Sequence, residues 1–148
     1  MDDLEEIRKL IFAYSQRFDS GDLDGFCALF ARGTLHLPGL TEPMTGPDAV
    51  RGFIEDRIIF YGGSPRTQHL VSGSIIEVEP SGERASAQSC ITLLQGLPGQ
   101  DIRPILLGRY LDTFERADGQ WWFARRTGAD GIVGDLSQHL RRGAVGSG

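Results

Sequence analysis

The chain changes periodicity once, near residue 66, and that single change limits the folds open to it. Before it, apolar residues recur at helical intervals. After it come four long runs rich in β-formers with only turn-like residues between them. Helices that precede strands, rather than alternating with them, argue against a parallel βαβ sheet. They predict an α+β fold in which three N-terminal helices pack on one face of a strongly curved antiparallel sheet, giving a cone. With 148 residues, the chain suits one domain around one core.

Leu4, Ile7, Ile11, Tyr14 and Phe18 recur at steps of three and four, the stripe of a helix with one buried face. Gly21 can end that helix in the left-handed conformation, and Asp22 can cap a second, LDGFCALFA, whose Leu23, Phe26, Cys27 and Phe30 share a face. GTLHLPG predicts a short strand, and TGPDAVRGFIEDRIIF a third helix with Pro47 in its first turn. The strands expected next are TQHLVSGSIIEVEP, ERASAQSCITLLQG, IRPILLGRYLDTFERA and QWWFARRTGA. Ser81-Gly82, LPGQD and Ala117-Asp118-Gly119 supply the hairpin turns. Adjacent Ile75 and Ile76 break the alternation, marking either a bulge or a strand buried on both sides. The expected domain is residues 1–132. Residues 133–148 form a C-terminal tail in which GDLSQHLRR makes a helical turn and GAVGSG is unstructured.

A net charge of −5 argues against nucleic acid or an anionic membrane as partner, since both call for a clustered positive field. No apolar run approaches the ~20 residues that span a bilayer, and MDDLEEIRKL does not read as a targeting segment, so a cytoplasmic location is expected. Cys27 and Cys90 lack CxxC spacing and are expected to be buried thiols. His36, His69 and His139 are scattered and no HExxH occurs, so no metal is expected. His36 is assigned to the surface or rim. No glycine-rich phosphate loop follows a strand, so no nucleotide cofactor is expected either.

The best chemical lead is Asp19 with His69. Asp19 lies at a helix C-terminus, where the macrodipole disfavours a carboxylate, so a compensating partner is expected. His69 opens the first long strand. A carboxylate on one imidazole nitrogen fixes the tautomer and stabilises the conjugate acid, as a base acting on a carbon acid requires. Without a partner the two are a solvated acid and a half-buried histidine. Tyr14 lies on the helical stripe, either donating its hydroxyl to a substrate or packing in the core. Strand parity puts Arg126 on one face with Trp122 and Ala124, and Arg125 on the other with Trp121 and Phe123.

IRKLIFAYSQRFDSGDLDGFCALF, TQHL and GRYLDTFERADGQWWFARR together resemble the SnoaL-like branch of the nuclear transport factor 2-like superfamily, over residues 4 to about 130. The resemblance implies the same cone. Tyr14, Asp19, His69 and Arg126 look like the catalytic set of its dehydratases and dehydrochlorinases, such as hexachlorocyclohexane dehydrochlorinase and bile-acid dehydratase. Arg126 is then the inward arginine, serving a leaving group or, alternatively, a structural ion pair. Leu35, Phe53, Cys90 and Tyr110 are the expected substrate-pocket residues. Scytalone dehydratase-like sites use a second histidine on a neighbouring strand, and SCITLLQG has none. A simple histidine-aspartate elimination is the closer fit.

The expected function is a cofactor-independent lyase acting on a hydrophobic cyclic small molecule, with a non-catalytic binding or structural domain and an isomerase or cyclase as alternatives. The uncovered sheet face is expected to make a homo-oligomer, dimer or trimer.

Overall fold

The computed structural model describes residues 2–141; GAVGSG lies outside them. Helix α1 spans Asp3–Ser20. Asp2 caps it by accepting from the Glu5 N–H at 2.8 Å, and Asp3, Glu5 and Glu6 favour its positive end. Ile7 and Ile11 are wholly buried, each contributing about 2 kcal/mol of apolar burial. Helix α2 covers Leu23–Ala28 and α3 Pro47–Arg57, with Pro47 at the start of α3. The short strands β1, Thr34–His36, and β2, Met44–Thr45, precede the long strands β3, Thr67–Val78, β4, Arg84–Gln95, β5, Arg103–Ala117, and β6, Gln120–Val133.

The strand order is β2-β1-β6-β5-β4-β3, antiparallel throughout except where β1 runs parallel to β6. Extra residues enter the ladder between Ser72 and Ile75, Leu93 and Leu94, Leu107 and Arg109, and Thr113 and Phe114. Such bulges increase local twist and bend long strands, which here curl around the helices. The irregularity expected at Ile75–Ile76 falls just before them, at Gly73–Ser74. Ile75 then faces outward while Ile76 packs on the core.

Three local features fix where α1 ends. Gly21 adopts φ +79 and its N–H reaches the Phe18 carbonyl, while the Asp22 N–H reaches that of Arg17, closing the helix. A Cβ on Gly21 would lie 1.8 Å from the Gly63 carbonyl oxygen. This close approach holds the last turn of α1 against the segment leading into β3. At the other end, the Asp3 carboxylate accepts from Trp121 Nε1 at 3.1 Å and from Arg116 Nη2 at 2.9 Å.

Residues 134–141 do not trail away from the sheet. The Ile59 N–H donates to the His139 carbonyl at 2.9 Å and the Arg141 N–H to the Arg57 carbonyl at 2.8 Å. The Gln138 carbonyl accepts from Tyr61 Oη and, at 3.1 Å, from Gln95 Nε2. The expected helical turn is present as a short turn from Leu136 to Leu140, strapped across the end of α3.

Candidate active site

Asp19 in the last turn of α1 receives three hydrogen bonds from the start of β3, each 2.8 Å long: Thr67 Oγ1 to Oδ1, the His69 N–H to Oδ2, and His69 Nδ1 to Oδ1. These donors offset the unfavourable helix end, so the expected compensation comes from one strand. The backbone bond and the side-chain bond from the same residue fix both the position and the ring orientation of His69. With Nδ1 committed to the carboxylate, Nε2 is the nitrogen left for other chemistry. The His69 ring is buried edge-on against Tyr14, with centroids 6.0 Å apart, and against Phe18, 5.2 Å apart, and it lines the main cavity.

Tyr14 and Tyr110 also line this cavity, their ring centroids 5.3 Å apart. Burial pushes both phenols above the usual range. The Arg126 charge opposes this in both, and the neighbouring phenol lowers Tyr14 while raising Tyr110. Both hydroxyls therefore stay protonated at neutral pH.

Arg126 does not enter the cavity. It is fully buried, donating from Nε and Nη2 to the two oxygens of Asp112 at 2.8 and 3.0 Å. Its guanidinium carbon lies 4.4 Å from the Tyr14 ring centroid and 3.9 Å from that of Tyr110. Burial works against its charge, but the Asp112 carboxylate outweighs burial and its pKa sits above the ordinary value. Of the two roles expected for Arg126, the structure shows the ion pair, made with Asp112, and the arginine backs the two tyrosines. The expected parity also changes. Phe114 faces Phe123 while Thr113 faces Arg125, so Ala124 is the bulged residue, and Arg126 turns to the inner face shared by Trp121 and Phe123.

The cavity measures about 320 Å³ and is mostly apolar. Leu35 and Phe53 line it as expected. Cys90 does not: it points outward on β4, between the inward Ser89 and Ile91, and is exposed. The expected pair of buried thiols therefore reduces to Cys27, whose pKa burial raises. His36 sits near the Arg125 guanidinium on the rim, with 3.5 Å between Nδ1 and Nη2. Among the described residues, no group of three or more His, Cys, Asp or Glu side chains is placed to hold a metal ion. No helix among them is long and apolar enough to cross a membrane.

Leu136, His139 and Leu140, all from the terminal strap, complete the lining. His139 packs on Phe18 at 5.9 Å. Burial, and secondarily the proximity of His69, lower its pKa to about 4. Sequence reasoning placed no site residue there. The spacing of Leu136, His139 and Leu140, one face of a helical turn, was the available signal.

The SnoaL-like domain family matches residues 1–127. No curated protein matches the sequence. A nuclear transport factor 2-like protein with a cystatin-like fold from Novosphingobium aromaticivorans superposes with a TM-score of 0.70 at 25% identity, covering 86% of this chain and 80% of its own. ActVI-ORFA from Streptomyces coelicolor gives 0.71 at 17% identity, covering 85% and 95%. A provisionally named scytalone dehydratase from Novosphingobium aromaticivorans gives 0.66 at 23%, covering 89% and 87%. Matched along most of its length and sharing the helix-on-curved-sheet architecture, the chain belongs to the SnoaL-like family of the nuclear transport factor 2-like superfamily.

Proposed function

We propose that this protein is a lyase that eliminates water or halide from a hydrophobic cyclic small molecule, with His69 as base and Asp19 as its orienting partner. One observation carries the proposal: a histidine held at 2.8 Å by a half-buried carboxylate lines a mostly apolar cavity. In such a site, neutral His69 Nε2 removes a proton from carbon, and the electrons of the broken C–H bond form the new C=C bond. The leaving group departs from the adjacent carbon with its bonding pair. Asp19 stabilises the imidazolium, which returns its proton to a departing hydroxide, released as water, or gives it to solvent when halide leaves. The Tyr14 hydroxyl, kept protonated by burial, is suited to donate a hydrogen bond to the departing atom or to an enolate oxygen. Arg126 is a positioning residue that holds the tyrosine pair from behind.

These steps use only groups of this chain and call for no cofactor. The name of the scytalone dehydratase-like neighbour is in keeping with a dehydration. The test is turnover of a panel of β-hydroxy and β-halo ring compounds. His69→Ala is expected to lower the rate roughly 10²–10⁴-fold, and Asp19→Asn, which presents the wrong hydrogen-bond partner to Nδ1, about 10²-fold or more. Rates like wild type in both variants reject the mechanism, and saturable binding without turnover by the wild-type protein makes the cavity a binding site alone.

A further inference from the structure

Asp19 takes two donors on one oxygen, and only one of them is the imidazole. Oδ1 accepts from His69 Nδ1 and from Thr67 Oγ1, both at 2.8 Å, while Oδ2 accepts from the His69 N–H. Thr67 and His69 are two residues apart on β3, so strand geometry sends both side chains to one face and one carboxylate, with Gln68 exposed between them. A carboxylate has no proton to give, so the buried Thr67 hydroxyl is the donor. Its backbone is fixed independently of Asp19. Arg66 sits at φ +55, its Nε donates to the Gly96 carbonyl at 2.6 Å, and its own carbonyl accepts from the Gly96 N–H at 3.0 Å. Thr67 then pairs with Gln95 in the β3–β4 ladder. A β-branched side chain at such a place has little χ1 freedom. The elimination steps give this hydroxyl no part.

We propose that Thr67 is a positioning residue whose hydroxyl pins Oδ1 of Asp19 against Nδ1 of His69, so that the neutral imidazole carries its proton on Nδ1 and leaves Nε2 free to take another. The catalytic part of this assignment rests on His69 acting as the base; the geometric part does not. Asp19 ends a helix whose partial negative charge works against a carboxylate, and its side chain is 16% exposed, within reach of water. The terminal torsion of a carboxylate is broad, so rotation about it exchanges protein donors for water. Held by His69 alone, that rotation breaks two hydrogen bonds; with Thr67 added it breaks three. The added bond is charge-assisted, the stronger kind, and comes from a strand that cannot follow the carboxylate as it turns. Turning Oδ1 away releases the Nδ1 proton from its acceptor and lets it move to Nε2, the form that cannot act as base.

The test compares Thr67→Val, Thr67→Ala and Thr67→Ser with the wild type. In ¹⁵N-labelled wild-type protein, at a pH where the imidazole is neutral, the His69 ring should show its proton on Nδ1, protected from exchange with water. Thr67→Val and Thr67→Ala lack the donor and should lose that protected signal, with the proton shared between the two nitrogens. Thr67→Ser should keep it. In turnover of the β-hydroxy and β-halo ring compounds, kcat should fall roughly 10–100-fold in Thr67→Val and Thr67→Ala with KM within about twofold, and stay within about threefold in Thr67→Ser. Thr67→Ala places no methyl group against Oδ1, so a loss shared by the valine and alanine variants but not by serine belongs to the hydroxyl and not to crowding. Wild-type ring signals in both Thr67→Val and Thr67→Ala, or a loss in Thr67→Ser as large as in Thr67→Val, overturns the proposal. If the wild-type protein turns over none of the compounds, the lyase assignment fails and the ring signals alone decide whether Thr67 holds the dyad.

Discussion

His139 and His69 face the same cavity under different constraints: His69 is tied to Asp19, whereas His139 Nδ1 has no partner. The folded pKa of His139 is lowered from 6.5 to about 4, chiefly by burial, with His69 adding to the effect and Asp19 opposing it. The unfolded chain therefore binds a proton at this residue between about pH 6.5 and 4 that the folded chain refuses. The corresponding stability is fully present above pH 6.5 and is lost as pH falls toward 4, by at most about 3 kcal/mol. Urea titrations at pH 7 and pH 4.5 should show a smaller acid loss in His139→Leu than in wild type, and an identical loss would show that this imidazole does not set the slope. The buried ion pair makes a second prediction at this scale. Asp112→Ala leaves a fully buried guanidinium without its carboxylate and should cost about 3–5 kcal/mol in denaturant unfolding. That Asp19 needs a compensating partner followed from its place at a helix end, and His69 at a strand start supplies it, whereas grouping Tyr14 with them rested on the family resemblance. Asp112 was not legible from the sequence. It is one of 20 acidic residues, and what selects it is its position directly opposite Arg126 in the β5–β6 ladder.

Among the elements, the end of α1 governs the geometry of the dyad. Gly21 combines a left-handed backbone with a Cβ position filled by the Gly63 carbonyl. Gly21→Ala should therefore cost at least about 2 kcal/mol and also disturb Asp19, two residues upstream. Its urea midpoint and its turnover should fall together, and a stable Gly21→Ala protein with full activity would show that this approach does not position the carboxylate. The three helices and four long strands were readable because their hydrophobic periods are sustained over many residues. The bulge at Ala124 was not, since a single extra residue leaves no compositional trace; yet it decides which arginine of Arg125 and Arg126 turns inward. The strap beyond Val133 is short and held largely through its backbone carbonyls, so its packing followed from tertiary contacts rather than from local pattern.

At the scale of the whole molecule, the sheet has one face turned to the helices and the cavity and one turned away. Leu70, Thr92, Leu107 and Ile132 form one outward row across β3 to β6, and Ile75, Gln88, Leu111 and Thr127 another, so large apolar side chains stand exposed on that face. We infer that it meets a second copy of the chain. Light scattering should give a mass above that of the 16.2 kDa chain, and Leu111→Glu should lower it toward the monomer; a wild-type monomer at assay concentration would contradict this. The cone and its concave apolar interior were legible as an architecture, whereas the cavity's inventory, with Cys90 outside and His139 inside, depended on which side of a bent strand or strap each residue fell. The central claim, that His69 held by Asp19 takes a proton from carbon in this cavity, is tested most directly by deuterium incorporation next to the carbonyl of 1-tetralone in D₂O. Wild-type protein should speed the exchange and His69→Ala should not, whereas no enhancement by the wild type, or equal enhancement by both, would contradict it.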